Sequence, residues 1–308
     1  MNFLEDFLAI LNGRDRLRQL ILVNVAVWLV LIVTQVLFNL VSFGRGGILF
    51  DDFLTWFEIG TSPWHLFTHP WTPLTYQFLH VSFWHILFNM LWLYSFGQFV
   101  QMTLGAHRIV PIYLIGGVAG FVAYFAAAHL LPSVFASTVS GYALGASASV
   151  MAIVVAAAVA APTMPMSIFG VFSVELRYVA ALALLFDILG ASQGENTGGH
   201  VAHIGGALSG YFFVTQLREG RDWSVTINEW LDKGKAFFAD VFARLRNSAP
   251  ASSPRANTPP NTVTQKDPFA RPNAPSQARV DAILDKIRQQ GYDNLTSEER
   301  EILFKARG

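Results

Sequence analysis

The sequence contains no cysteine, which excludes disulfides and thiolate metal sites. It also lacks the H-E-x-x-H pattern of helical zinc proteases. Charged residues are scarce: they make up 14% of the chain, whereas soluble domains carry roughly 25%. The formal net charge is +0, and this balance gives no indication of nucleic acid or another polyanion as a partner.

The scarcity of charge is uneven along the chain. Of the 21 Lys and Arg residues, 6 precede Leu217 and the other 15 follow it. With 53% hydrophobic residues overall, the first two thirds of the chain are predicted to lie in a membrane and the last third in water. No cleavable signal peptide is predicted, because 1–19 is charged and the apolar run after it is long enough to span.

Six segments have the length and apolarity of a membrane-spanning helix, which needs about 20 mostly apolar residues. The predicted fold class is therefore all-α, a polytopic membrane protein. The long segment 44–79, between the first two spans, is rich in Trp and Phe and suits the headgroup layer of a bilayer. The six predicted spans lie at roughly 20–43, 82–104, 109–131, 145–163, 174–191 and 199–217.

Basic residues predict the orientation. With both ends on the cytoplasmic side, the inner side holds seven of the basic residues around the spans and the outer loops hold only Arg45. The C-terminal 30 residues are too few to bury a core of their own, so a protein partner is expected for them. The predicted parts are a cytoplasmic segment 1–19, a six-helix domain 20–217, an amphipathic juxtamembrane helix 218–246, a flexible linker 247–277 and a small helical module 278–308.

Polar residues within the predicted spans indicate a reactive site. His85 and Asn89 lie four residues apart, on one face of the second span. Ser147 opens the fourth span, and His203 lies near the start of the sixth. In the predicted orientation all three spans enter the membrane from the outer side, so these side chains meet at one depth. A hydroxyl and an imidazole in a partly desolvated cavity can act as nucleophile and general base.

The remaining polar residues are expected to be structural. No carboxylate is expected at this depth, so the pair is predicted to be a Ser–His dyad; Asp187 is expected in a polar interior or at the outer interface. Ser149 lies about 200° around the helix from Ser147. Its hydroxyl is expected to donate to a backbone carbonyl or to make a helix–helix contact. Three histidines are expected outside the pair: His200 at the cavity mouth or in a loop, and His65 and His69 in interfacial hydrogen bonds.

As a set, these residues resemble the rhomboid intramembrane serine proteases. The resemblance covers about 20–217 and implies a six-helix bundle with a long outer loop between helices 1 and 2. It also implies hydrolysis of peptide bonds in or near transmembrane segments of membrane proteins. The motifs that carry it are His80-x4-His85-x3-Asn89, Gly145-x-Ser147 and Ala202-His203-x2-Gly206-x3-Gly210.

The resemblance implies a role for each matching residue. Ser147 would be the nucleophile and His203 the general base. The oxyanion would be stabilised by His85, Asn89 and the backbone N–H of Ser147, which is free at the first turn of a helix. His80 would fix the outer loop. The chemistry implies no cofactor and no metal.

The sequence departs from the common family pattern beside the nucleophile, where Ala148 replaces the usual Gly. The added methyl group is expected to affect substrate fit more than chemistry. Met151, on the nucleophile's face, is expected to pack its thioether near the catalytic imidazole. Gly206 and Gly210 are expected to let the sixth helix approach the fourth closely.

Two alternatives remain open. One is a catalytically silent rhomboid-like protein that binds membrane clients; such relatives lack the dyad. The other is a metal site or an ion-handling protein that uses the outer histidines. The C-terminal module resembles one appended to some bacterial rhomboids, which predicts a bacterial inner membrane as the location.

Overall fold

The structure is a computed structural model that describes residues 15–42, 45–132, 141–168, 170–192, 196–247, 277–290 and 294–306. The chain divides into two compact units, Met1–Arg244 and Leu245–Gly308. The predicted linker 247–277 lies almost entirely outside the described residues, as does most of the predicted segment 1–19.

The first unit is built of helices with short strands between them. Three of its helices are short and lie between the first two long ones. Two 3-10 turns, Tyr76–Phe78 and Ala106–Arg108, precede the second and third long helices. The elements are α1 (Arg16–Val41), α2 (Gly46–Thr55), β1 (Ile59–Gly60), α3 (Pro63–Thr68), α4 (Thr72–Thr75), α5 (Phe83–Thr103), α6 (Ile109–Leu130), β2 (Tyr142–Ala143), α7 (Ser147–Ala160), β3 (Pro165–Ile168), β4 (Phe172–Glu175), α8 (Leu176–Ser192), α9 (Thr197–Arg218) and α10 (Trp223–Asn247).

Each of the six predicted spans overlaps a helix of the structure, namely α1, α5, α6, α7, α8 and α9. By length and composition, two described helical segments can cross a membrane: Arg16–Val41 and Ala106–Leu130. The fourth predicted span is too long, because its helix α7 has only 14 residues. The fifth begins too early, because Phe172–Glu175 pairs with Pro165–Ile168 in an antiparallel hairpin. The structure is therefore a helical bundle, and the count of six spans stays a prediction.

Helix α7 lies at the centre of the bundle. Ten of its residues are buried, and most of these are Ala or Val, whose small side chains let α5, α6 and α9 pack around it. Helix α1 is the opposite case, with large apolar side chains such as Val30 and Leu40 exposed. Exposed apolar surface on a long helix is typical of a lipid-facing position.

The outer segment 45–79 is tied to the chain just before α7. Strand β1 pairs antiparallel with β2, with Ile59 opposite Ala143 and Gly60 opposite Tyr142. The N–H of Gly145 donates to the carbonyl of Tyr76 at 3.0 Å. These bonds fix the path of the chain into the first turn of α7.

In the second unit, α11 (Gln277–Gln290) and α12 (Ser297–Ala306) form a helix pair. A capping box opens the second helix of this unit: the Thr296 N–H donates to a Glu299 carboxylate oxygen at 2.8 Å, and the Glu299 N–H donates to the Thr296 hydroxyl at 3.3 Å. An ion pair between Lys286 and Glu299, at 2.8 Å, joins the two helices.

Candidate active site

Ser147 is the first residue of α7, and the backbone before it has a special conformation. Gly145 has a φ of +129°, which residues with a Cβ rarely adopt. A Cβ at Gly145 would also lie 2.7 Å from Cε1 of His85. Glycine at this position therefore permits both the turn into α7 and the close approach of the His85 ring.

Four of the predicted site residues share one cavity. Ser147, His203, His85 and Asn89 all line a cavity of about 470 Å³ between α5, α7, α8 and α9. Ser147, His85 and His203 are each half-buried, so the cavity is partly desolvated but not closed. Its other lining residues are mostly aromatic or apolar: Trp84, Phe88, Trp92, Val150, Met151, Val154, Ala183, Phe186 and Asp187.

The expectation that no carboxylate lies at this depth is wrong. Asp187, near the end of α8, places Oδ1 2.7 Å from Nδ1 of His203, and its side chain is only 7% exposed. The acid and the histidine lie level because α8 ends just before α9 begins. If Nδ1 donates to the carboxylate, Nε2 of His203 is left as a proton acceptor, the arrangement of a Ser–His–Asp triad.

Of the two positions predicted for His200, the loop is wrong, because His200 lies in α9. Its Nδ1 lies 2.9 Å from the same Oδ1 of Asp187, so it belongs to the carboxylate cluster and not to a loop. A Cβ at Gly190 would lie 2.4 Å from Nε2 of His200, which shows that the ring packs directly on the α8 backbone.

The candidate oxyanion residues lie on the α5 side of the cavity. Asn89 is buried, and its amide nitrogen donates to the carbonyl of His85 at 2.9 Å, leaving one further N–H on that amide. His80 is fully buried, and its ring centroid lies 5.0 Å from that of His85. Burial, followed by the neighbouring His85, lowers the pKa of His80 to about 4, so His80 supports the His85 ring as a neutral imidazole.

Helix α9 meets α7 at two glycines, as the sequence predicted. A Cβ at Gly206 would lie 2.0 Å from the carbonyl oxygen of Ala148, and a Cβ at Gly210 would lie 2.3 Å from that of Ala152. Only glycine allows the backbones this close. The contact brings His203, one turn before Gly206, to the same level as Ser147.

Comparison with known proteins agrees with this geometry. Residues 67–219 match the rhomboid domain. The chain belongs to the rhomboid family. The matched region runs from the outer segment to the end of α9, so it holds every residue of the candidate site.

Curated relatives of this rhomboid are mitochondrial proteins. It is 32% identical to the presenilin-associated rhomboid-like protein of Homo sapiens over 147 residues. This aligned region covers 46% of this chain and 36% of the relative. The corresponding protein of Mus musculus is 30% identical over 145 residues, covering 46% and 37%. The RHOMBOID-like protein 12 of Arabidopsis thaliana is 25% identical over 158 residues, covering 49% and 47%. The match spans less than half the length of these relatives.

The names of these relatives contradict the predicted location. All three are described as mitochondrial, and they therefore point away from a bacterial inner membrane. The inference from the C-terminal module was the source of the error, because residues 268–305 match a family of unknown function (DUF6576), whose description names no organism or compartment.

The secondary predictions around the rhomboid site have mixed outcomes. Ser149 is fully buried and does point away from the cavity, but its hydroxyl donates to the side-chain oxygen of Gln77 at 3.0 Å instead of to a helix carbonyl. Met151 lines the cavity, and Ala148 packs against Gly120 of α6. The hydrogen bonds of His65 and His69 stay within the outer segment, to the Glu58 carbonyl at 3.1 Å and the Thr68 hydroxyl at 2.8 Å.

Proposed function

We propose that this rhomboid is an intramembrane serine endopeptidase that hydrolyses peptide bonds in or near transmembrane segments. The observation that carries the proposal is the shared cavity of Ser147 and His203, with Asp187 2.7 Å from Nδ1 of His203. Nucleophile, base and orienting carboxylate are the three groups that acyl transfer requires. Family membership supports it, because rhomboids are in general proteases of this type.

In the proposed mechanism, Asp187 holds the His203 ring with its proton on Nδ1. Nε2 then takes the proton from the Ser147 hydroxyl as Oγ attacks the substrate carbonyl carbon. His203 returns that proton to the leaving amine, and the C–N bond breaks. A water molecule, deprotonated by the same imidazole, then hydrolyses the acyl-enzyme ester and regenerates Ser147.

The negative charge of the tetrahedral intermediate needs donors. The N–H of Ser147 lies among the first helical N–H groups, which lack intrahelical acceptors. The second N–H of the Asn89 amide and the His85 ring lie on the opposite wall of the same cavity. We assign these three groups to the oxyanion site, where one donor is typically worth a factor of about 10² to 10³ in rate.

The cavity walls support a membrane protein as the substrate. Trp84, Phe88, Trp92 and Phe186 present aromatic surface to whatever enters, and such surface favours an apolar segment. A peptide bond in an intact helix is shielded by its own hydrogen bonds, so a substrate helix must unwind locally to reach Ser147. Small or helix-breaking residues near the scissile bond should therefore be favoured.

The alternative is a silent protein that binds membrane clients. Such a protein has no use for a serine and a histidine in one cavity with a carboxylate on the histidine, and this chain has all three. The two functions differ in whether Ser147 reacts.

A fluorophosphonate probe tests the proposal directly, because it labels only activated serines. We expect the purified chain in detergent to be labelled, and Ser147→Ala and His203→Ala to lose labelling. Ser149→Ala is the matched control, two residues from the nucleophile and outside the cavity, and it should keep labelling. A folded wild-type chain that takes up no probe would refute the protease and favour client binding.

A further inference from the structure

Asp187, His200 and His203 form a cluster with the composition of a metal site. The carboxylate Oδ1 lies 2.9 Å from Nδ1 of His200 and 2.7 Å from Nδ1 of His203, and one potential ligand atom from each residue lies within 4.8 Å of the others. Two imidazole nitrogens and one carboxylate oxygen are a common ligand set for Zn²⁺ and similar divalent transition metals.

The burial of the Asp187 carboxylate favours binding of a cation. Asp187 is the only Asp or Glu in α1 and α5 to α9, and its side chain is 7% exposed. Both histidines approach Oδ1, while Oδ2 is buried without a hydrogen-bond partner. A buried anion with one unsatisfied oxygen is costly unless a cation or donor compensates it.

The three side chains must rearrange locally to bind an ion. With Zn–N and Zn–O bonds of about 2.0–2.2 Å at tetrahedral angles, neighbouring ligand atoms lie about 3.3–3.5 Å apart. The two Nδ1–Oδ1 distances would therefore open by roughly half an ångström, and the widest ligand-atom separation, at most 4.8 Å, would close by up to about 1.4 Å. The His200 and His203 side chains are 25% and 19% exposed, and His203 lines the cavity, so an ion has a path of entry.

We propose that Asp187, His200 and His203 bind a divalent transition metal of the Zn²⁺ class, and that the bound ion inhibits the site. A neutral imidazole that coordinates through Nδ1 carries its proton on Nε2, so binding moves each ring proton from Nδ1 to Nε2. Coordination takes His203 away from its hydrogen bond with Asp187, and its protonated Nε2 can no longer accept the Ser147 proton. The inhibition rests on the proposed protease function; the binding does not.

His200 separates metal binding from catalysis. It shares Asp187 with His203 but has no role in the proposed reaction. His200→Phe keeps a ring of similar size against Gly190 and removes the ligand. His129→Phe is the matched control, because His129 lies at the exposed end of α6 with its Nδ1 bonded to the Phe125 carbonyl at 2.8 Å.

Binding is measured first, on the full chain in detergent after removal of metal with EDTA. Co²⁺ is a spectroscopic substitute for Zn²⁺, and we expect one equivalent to give the visible absorption of a tetrahedral site, which Zn²⁺ then displaces. In His200→Phe the affinity should fall at least about tenfold, and in His129→Phe it should be unchanged. No tetrahedral spectrum in the wild type, or equal affinity in His200→Phe, would overturn the site.

Inhibition is measured next with the fluorophosphonate probe. Zn²⁺ at the concentration that fills the site should block labelling of the wild type, and EDTA should restore it. His200→Phe should be labelled in both conditions. Labelling of a Zn²⁺-loaded wild type would refute inhibition while leaving the site. A chain that binds Zn²⁺ but takes up no probe even when free of metal would refute the protease and not the metal site.

Discussion

The substitution Gly206→Ala tests whether the close contact of α9 with α7 sets the catalytic geometry. The new Cβ would lie 2.0 Å from the carbonyl oxygen of Ala148 and 2.8 Å from its carbonyl carbon. Real Cβ atoms do not approach closer than 3.0 Å, so the two backbones must separate by about 1 Å. His203 lies one turn before Gly206, and Ser147 is bonded to Ala148, so the separation falls on the proposed nucleophile and base.

A misplacement of about 1 Å costs roughly 10²-fold in rate, and we expect the rate of fluorophosphonate labelling of Gly206→Ala to fall by about that factor. The rate is compared with the folded fraction from thermal unfolding, so that loss of fold is not counted as loss of alignment. Gly234→Ala is the matched control, since Gly234 lies in α10 with nothing within 4 Å of an added Cβ. A folded Gly206→Ala chain with the wild-type labelling rate would show that the contact does not align the pair.

Two further predictions concern groups outside the cavity. Arg108 donates to Asp222 from Nε at 3.0 Å and from Nη2 at 2.6 Å, and this pair joins the turn before α6 to the turn before α10. Arg108→Ala should lower the midpoint of thermal unfolding by a few degrees, equivalent to about 1–2 kcal/mol, and leave fluorophosphonate labelling unchanged. An unchanged midpoint would show that the pair does not stabilise the fold. Burial, and then the charge of Asp51, raise the pKa of Glu58 from 4.5 to about 7. Between pH 4.5 and about 7 the folded chain therefore holds a proton that the unfolded chain has released, and the free energy of unfolding falls as the pH rises through this range. Glu58→Gln should remove that fall in a series of thermal melts, and a variant as pH-dependent as the wild type would refute the assignment.

The sequence alone predicted that Ser147, His203, His85 and Asn89 come together from three helices, and the structure places them in one cavity. Spacing on one helix fixes which residues share a face. The sequence therefore predicted that His85 and Asn89 lie on one face and that Ser147 and Ser149 lie on different faces. The two glycines of α9 also predicted the contact with α7. These are properties of one helix or of a small-residue motif, and both are local in sequence.

Asp187 could not be assigned in the same way. Its role depends on how α8 is rotated relative to α9, and rotation depends on packing across several helices. A signal was nevertheless present, because the predicted spans hold only two acids, Glu175 and Asp187, and Asp187 lies close to the outer end of the fifth, only 16 residues before His203. An isolated carboxylate in a membrane helix is costly unless it is paired, and the histidines at the start of the next helix were the nearest partners.

The position of the outer segment depends even more on contacts between distant residues, which the sequence does not reveal. It reaches the region of Ser147 by three separate contacts: β1 with β2, the carbonyl of Tyr76 with the N–H of Gly145, and Gln77 with the hydroxyl of Ser149. Each contact joins residues 69 to 84 positions apart, and two of them end within two residues of the proposed nucleophile. The 3-10 turn of this segment therefore holds the first turn of α7 in place through Tyr76 and Gln77.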